Sequence, residues 1–130
     1  MTYIDKYNTN KTWASCAYKV SQYDIATNRY YYSIFQKMLN KLYTEGISID
    51  TSESEGTHNR TATIFREKIL NKKIGKPTGK QKTRKIIEFN SNFQSLKKLR
   101  YIADYTVNSI TEEQVNDVVK SFNVLDEIID

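Results

Sequence analysis

Apolar residues recur every three to four positions over most of the chain, which is the spacing of one face of an α-helix. The clearest stripe predicts a helix that starts after Asp24, the expected N-cap, runs to about Tyr43 and is stopped by Gly46. Its predicted inward residues are Thr27, Tyr31, Ile34, Phe35, Met38 and Leu42. A second long stripe predicts a helix from about Thr83 to Tyr105. Its predicted inward residues are Ile86, Phe89, Phe93, Leu96, Leu99 and Ala103.

Three further helices are predicted from shorter signals. The first runs from about Lys11 to Gln22, with Asn8 or Asn10 as its cap and with Trp13, Ala14, Ala17 and Tyr18 turned inward. The middle one is capped by Thr57, ends near Gly75 and buries Ala62, Phe65, Ile69 and Leu70. The last opens on a capping box from Thr111 to Gln114 and buries Val115, Val118, Phe122, Leu125 and Ile129.

No segment alternates as a strand does, so the expected fold class is all-α: an up-and-down bundle of four to five helices. The chain has 130 residues with only four Gly and one Pro, which favours long helices and a single domain spanning residues 1–130. Polar loops are expected at Ser48–Gly56 and Gly75–Lys80. The lone cysteine, Cys16, is expected to be a buried, inert thiol.

No apolar run approaches the length of a membrane span, and the first residues lack the charged and apolar regions of a signal peptide. We therefore expect a cytoplasmic protein with no membrane partner. No second His or Cys lies at ligand spacing from His58, so no metal site and no cofactor is expected.

The net charge of +5 is unevenly distributed. Between Arg66 and Lys85 there are nine basic residues and one acid, whereas from Tyr101 onward there are seven acids and one base. The basic segment 66–85 is a candidate for binding phosphate groups. Its candidate residues are Lys72, Lys73, Lys76, Lys80, Lys82, Arg84 and Lys85. The same asymmetry would also let two surfaces attract each other, and a solvated basic loop remains the simplest alternative.

Two polar clusters interrupt the apolar stripes of the long helices. Arg100, Asp104 and Tyr105 are four and five residues apart, so they project from roughly one side of a helix. The second cluster is Asn28–Tyr32, with one or two of its three tyrosines expected in the core. We predict a mainly structural polar network between the two helices. Its predicted members are Arg29, Tyr31, Tyr32, Arg100, Asp104 and Tyr105.

Three motifs resemble those of HEPN domains, in the same order along the chain. The run 24–35, Asp-Ile-Ala-Thr-Asn-Arg-Tyr-Tyr-Tyr-Ser-Ile-Phe, is similar to the family's second-helix signature. Gly-Thr-His-Asn at 56–59, followed by Phe65, is similar to the motif that opens the next helix. The run 96–105, Leu-Lys-Lys-Leu-Arg-Tyr-Ile-Ala-Asp-Tyr, resembles the family's Leu-x-x-Leu-Arg-x-x-Ala-Asp-Tyr. The resemblance covers nearly the whole chain.

The resemblance implies a helical bundle that often dimerises, in a family that includes RNases, toxins paired with nucleotidyltransferases, defence proteins and non-catalytic partners. RNase members carry Arg-x4-6-His, whose Arg binds phosphate and whose His acts near the 2′-OH. Here Tyr105 occupies the position after Arg100 where His would stand, and no Arg precedes His58 by four to six residues. Tyrosine, with a reference pKa near 10, is a poor base at neutral pH.

The leading expectation is therefore a non-catalytic interaction protein. It would be a homodimer, or a subunit or adaptor of a bacterial or mobile-element defence, counter-defence or toxin–antitoxin complex, with a partner such as a nucleotidyltransferase. One alternative is a metal-independent, RNA-cleaving toxin with an altered active site formed by Arg100, Tyr105, His58 and Arg29. The other is an RNA- or nucleotide-binding module that uses the segment 66–85.

Overall fold

A computed structural model describes residues 1–49, 56–71 and 79–130 of the protein. Its helices are α1 (Tyr3–Lys19), α2 (Tyr23–Thr44), α3 (Thr57–Phe65), α4 (Gly79–Tyr105) and α5 (Glu112–Ile129). A π-helical segment, Arg66–Leu70, continues α3. No strand occurs within these described ranges, which confirms the all-α class.

The helix α2 lies at the centre of the bundle and packs against α1, α3, α4 and α5. Its contacts fix the helix directions: Tyr32 meets Arg100 while Asn28 meets the later residue Asp104, so α2 and α4 are antiparallel. In the same way α1 is antiparallel to α5, because Tyr7 bonds Asp126 and Tyr18 bonds Asn116.

Within this arrangement α3 departs from strict up-and-down order. Phe65 packs on Phe89, and Asn59 accepts a hydrogen bond from Lys97, so α3 runs antiparallel to α4 and therefore along the direction of α2. The helices α1, α2, α4 and α5 alternate in direction as expected, and α3 fills the side between α2 and α4.

The core contains the predicted stripes. All six inward residues predicted for α2 and all five predicted for α5 are buried. In α4, the four central residues of the stripe are buried, whereas Ile86 and Ala103 at its two ends are only partly covered. The largest fully buried side chains include Tyr31, Phe65, Phe89 and Phe93. The 3–4 spacing therefore located the core of the long helices.

The predicted face of α1 was wrong in part. The helix begins at Tyr3, eight residues earlier than expected, because Thr2 and Asp5 form a capping box. Extended to Tyr3, the stripe passes through Tyr7, Ala14 and Ala17, which are buried. Trp13, Cys16 and Tyr18 lie off that stripe and are exposed. The inward positions of Trp13 and Tyr18 and the buried thiol of Cys16 are thus corrected.

Several predicted helix ends also shift. Asp24 is not an N-cap: α2 starts at Tyr23, and the Asp24 carboxylate instead accepts from the backbone N–H of Ile110 at 2.7 Å. The N-cap of α3 is Gly56 and not Thr57. Gly56 has a φ of +77°, in the left-handed region, where a residue with a Cβ atom would be strained. The capping box at Thr111 is confirmed. The expected end of the third helix near Gly75 lies outside the described residues.

No helix in the described ranges is both long and apolar enough to cross a membrane.

Candidate functional site

The centre of the candidate site is the guanidinium group of Arg100, on the side of α4 that faces α2. The Arg100 side chain is only 12% exposed. Its Nε donates to Asp104 Oδ2 at 2.9 Å, and its terminal nitrogen donates to Tyr32 Oη at 2.7 Å and to Tyr105 Oη at 3.3 Å. Arg100 thus makes three hydrogen bonds to neighbouring side chains, through its Nε and one of its two terminal nitrogens.

Three tyrosine rings surround the same guanidinium group. The carbon Cζ of Arg100 lies 5.1 Å from the ring centroid of Tyr31, 5.3 Å from that of Tyr32 and 5.1 Å from that of Tyr105. These distances are within the range of favourable cation–π contacts. Asn28 donates to Asp104 at 2.9 Å and so anchors the carboxylate to α2. We call Tyr31, Tyr32, Arg100, Asp104 and Tyr105, with Asn28, the Arg100 network.

The start of α3 places His58 against this network. Its Nδ1 lies 2.6 Å from Tyr31 Oη, and its ring packs on Phe35 with centroids 4.3 Å apart. Tyr32 meets the same ring edge-on. The fold therefore brings His58 close to Arg100 although the two residues lie on different helices and 42 positions apart in the sequence (100 − 58).

Burial and nearby charge set the protonation of these groups. Burial, followed by the positive charges of Arg100 and Lys97, lowers the pKa of His58, so the imidazole is neutral at pH 7. Burial raises the pKa of Tyr31 despite the opposing charge of Arg100, so its hydroxyl keeps its proton. Burial opposes the charge of Arg100, but the surrounding tyrosines and Asp104 outweigh it and raise the pKa of Arg100.

Arg29 does not belong to the Arg100 network, which corrects the prediction for this residue. Its terminal nitrogen donates to Asn10 Oδ1 at 3.2 Å, and its guanidinium group stacks on Trp13 at 5.3 Å. The reason is angular: Arg29 is adjacent to Asn28 on α2 but about 100° around the helix from it, so it turns toward α1. Arg29 was predicted to join the network because it is close to Tyr31 and Tyr32 in the sequence, and that closeness did not show that Arg29 faces α1.

Most of the phosphate-binding candidates lie outside the described residues. Lys72, Lys73 and Lys76 lie outside the described residues, as do the side chains of Lys80 and Lys82. Arg84 and Lys85 are exposed near the start of α4. Arg66, at the start of the basic segment, donates to Asn90 Oδ1 at 2.9 Å.

A second polar cluster, absent from the sequence-based predictions, links α1, α2 and α5. The Lys37 side chain is only 8% exposed, and its Nζ lies 2.8 Å from Asp126 Oδ1 and also contacts Asp130. The Tyr7 hydroxyl donates to the same Asp126 oxygen at 2.6 Å. No local spacing could have revealed this cluster, because Tyr7, Lys37 and Asp126 lie far apart in the sequence.

An open groove of about 590 Å³ lies between α1, α2 and α4. It is lined by Trp13, Asp24, Ile25, Asn28, Arg29, Ala103 and Asp104. Through Asn28 and Asp104 it adjoins the Arg100 network. We call it the Trp13 groove.

Among the described residues, no group of three or more His, Cys, Asp or Glu side chains is arranged to hold a metal ion. Comparisons of the chain with protein-family models, with curated proteins and with solved structures give no match.

Proposed function

We propose that the chain is a non-catalytic, HEPN-like interaction protein that works as a homodimer, or as a subunit or adaptor in a bacterial or mobile-element defence, counter-defence or toxin–antitoxin complex. The non-catalytic part of this proposal rests on one observation: the two groups that catalysis would need are both hydrogen-bonded to neighbouring side chains. The cation of Arg100 is bonded to Asp104, Tyr32 and Tyr105, and the Nδ1 of His58 is bonded to Tyr31.

Cleavage of RNA at a 2′-OH requires a base that reaches the substrate and a cation that is free to meet the phosphate. His58 is held between Tyr31 and Phe35, and the guanidinium group of Arg100 is enclosed by three tyrosine rings. A phosphate would also have to compete for the Arg100 charge with the carboxylate of Asp104, which is already paired with it. These contacts favour a structural role for the Arg100 network.

A second candidate function is RNA cleavage by an altered HEPN site. It is favoured by the proximity of a neutral imidazole, His58, to the cation of Arg100, which is the chemistry that such cleavage uses. The arrangement joins α3 and α4, whereas in the family's Arg-x4-6-His motif the two residues are close together in the sequence. The exposed hydroxyl of Tyr105 adds a donor beside the cation.

The experiment that separates these functions is incubation of purified protein with single-stranded and structured RNA. We expect no cleavage above that of a His58→Ala, Arg100→Ala control. Cleavage by the wild type that disappears in both His58→Ala and Arg100→Lys, with the fold retained, would establish the catalytic alternative. RNA binding measured against salt tests the third hypothesis, because phosphate contacts by the segment 66–85 would give a steep dependence.

A further inference from the structure

The helix α3 lacks the local stabilisation with which α1 and α5 begin. Those two helices each open on a capping box with an acidic side chain in the first turn. The N-cap of α3, Gly56, has no side chain that could cap the helix, and the first turn of α3 contains no acid. With nine residues, α3 is also shorter than the roughly 12–15 residues that an isolated helix needs in water. It therefore depends on its docking against α2 and α4.

His58, the second residue of α3, provides part of that docking. Its ring packs on Phe35, and its Nδ1 meets the buried hydroxyl of Tyr31 at 2.6 Å. Burial keeps the proton on Tyr31 by raising the pKa of its hydroxyl, so the neutral Nδ1 serves as the acceptor for that proton. A protonated imidazole would turn Nδ1 into a donor and deprive the buried hydroxyl of this acceptor.

The charges around the imidazole also oppose its protonation. The titratable groups that face it from α2 and α4 are Tyr31, Tyr32, Lys97 and Arg100. Two of these are cations, and the carboxylate of Asp104 is already paired with Arg100. The start of α3 adds the partial positive charge of a helix N-terminus, which a further positive charge in the first turn would meet directly. A proton on His58 would thus be placed among like charges.

We propose that α3 and its π-helical continuation, residues 57–70, form a latch that is released from α2 and α4 when His58 takes up a proton. Release would remove the cover from Phe35 and Phe89, which are in ring contact with His58 and Phe65. Acid would then control access to the face of the bundle beside the Arg100 network. This inference goes beyond either candidate function, because it concerns how α3 is held.

The direction of the pH dependence follows from the two states of the latch. In the docked state, burial and the charges of Arg100 and Lys97 hold the pKa of His58 below its reference value of 6.5. In the released state those causes are absent, so the imidazole takes up a proton there first as the pH falls. Between about pH 7.5 and about pH 5.5 the equilibrium constant for release should rise by about five- to tenfold, the upper value applying if the docked imidazole stays neutral.

Hydrogen–deuterium exchange of the full chain measures this release, because the amides of α3 exchange when the latch opens. Exchange rates at the two pH values, each divided by the intrinsic rate of the amide at that pH, give the protection. We expect α3 to be less protected than α5 at both. In the wild type the protection of α3 should fall by about five- to tenfold on acidification. In His58→Gln, which keeps a polar side chain but cannot take up the proton, this fall should be absent.

A matched pair of charge reversals tests the role of the facing cations. Lys97→Glu replaces a cation that acts on His58 by a carboxylate, which should reduce the acid response at least about twofold or reverse it. Lys98→Glu makes the same change in net charge at the adjacent exposed position, about 100° around α4, and should keep the wild-type response. This pair decides the question even if His58→Gln weakens the docking by itself. Circular dichroism of the variants would verify that the helices are retained.

Three results would overturn the proposal. Equal protection of α3 and α5 would mean that the latch opens only when the whole bundle unfolds. The same acid response in wild type and His58→Gln, or equal responses in the two charge-reversed proteins, would mean that His58 does not control the latch. RNA cleavage by the wild type would refute the proposed non-catalytic function and leave these measurements unchanged, so the two ideas can fail separately.

Discussion

Single residues show where local spacing is informative and where it is not. The i, i+4 and i+5 spacing correctly placed Arg100 beside Asp104 and Tyr105, because helix geometry alone decides those contacts. It could not place His58, whose contact with Tyr31 depends on how α3 docks on α2. Trp13 was misassigned because two adjacent apolar residues, Trp13 and Ala14, competed for the inward face and the smaller one is buried.

The surroundings of His58 predict a specific pH dependence of stability. The groups that face its ring are Tyr31 and Tyr32 from α2 and the cations Arg100 and Lys97 from α4, and the one carboxylate of the network, Asp104, is already bonded to Arg100. The pKa of His58 in the folded protein is below its reference value of 6.5. The unfolded chain therefore takes up the proton first, and stability falls as the pH drops below about 6.5.

This prediction is checked by chemical denaturation of wild type and His58→Gln from about pH 8 to about pH 5, across the reference pKa of histidine. Other groups titrate in both proteins, so the informative quantity is the difference between the two free energies of unfolding. We expect the wild type to lose more stability than the variant on acidification. A difference that stays constant over this range would mean that His58 protonates equally well in the folded state.

At the scale of helices, the sequence predicted the interior of each element better than its ends. The stripes of α2 and α5 were confirmed because a continuous apolar face must be buried whatever the tertiary arrangement. The capping box at Thr111 and the stop at Gly46 were confirmed because they are local. Asp24 was wrongly predicted as the N-cap of α2 because its carboxylate accepts a hydrogen bond from Ile110. A contact between residues so far apart cannot be predicted from local sequence.

The two helix ends at Ser21 and Gly46 provide a matched test of backbone strain. In both, a residue with positive φ follows the helix, and the next backbone N–H returns to a carbonyl five residues earlier. Glycine adopts this conformation without steric cost, but Ser21 has a φ of +62°. Among the described residues, the Ser21 side chain accepts a hydrogen bond from Tyr23 Oη that is long at 3.4 Å and offers little compensation.

We therefore expect Ser21→Gly to stabilise the protein by about 0.5–1 kcal/mol and Gly46→Ser to destabilise it by at least a similar amount. A Cβ at Gly46 would meet no atom within 4 Å, so the cost there is conformational rather than a clash. Urea unfolding of both variants gives the two values. Destabilisation by Ser21→Gly would show that the serine side chain holds the α1–α2 turn in a way that its contacts do not indicate.

At the scale of the whole molecule, the sequence predicted the fold class and the alternation of four helices, but not the polar contacts that join them. Periodicity shows that a face is buried without showing which helix covers it. The contact of Lys37 with Asp126 illustrates the limit: Lys37 lies within the apolar stripe region of α2, and nothing near it in the sequence signals a carboxylate 89 residues away. The same limit applies to α3, whose direction follows from its docking on α4.

The Lys37–Asp126 pair yields the last prediction. Lys37 is nearly excluded from water, so removing the charge of Asp126 leaves a buried cation without the less exposed of its two counter-ions. Asp126→Asn keeps the shape and an oxygen that can accept from Tyr7, so it isolates the effect of charge. We expect a loss of roughly 3 kcal/mol, the lower end of the range for a broken buried pair, because Asp130 and the Asp126 carbonyl still contact Lys37.

The double variant Lys37→Met, Asp126→Asn removes both charges and should recover most of that loss, since replacing a buried ion pair by uncharged groups of similar volume is often neutral. Glu127→Gln removes an exposed acid from the adjacent position of α5 and should change the unfolding free energy by less than about 0.5 kcal/mol. Urea unfolding of the wild type and of these three variants measures their free energies of unfolding. If Asp126→Asn alone were as stable as the wild type, the ion pair with Asp126 would contribute nothing to holding α1, α2 and α5 together.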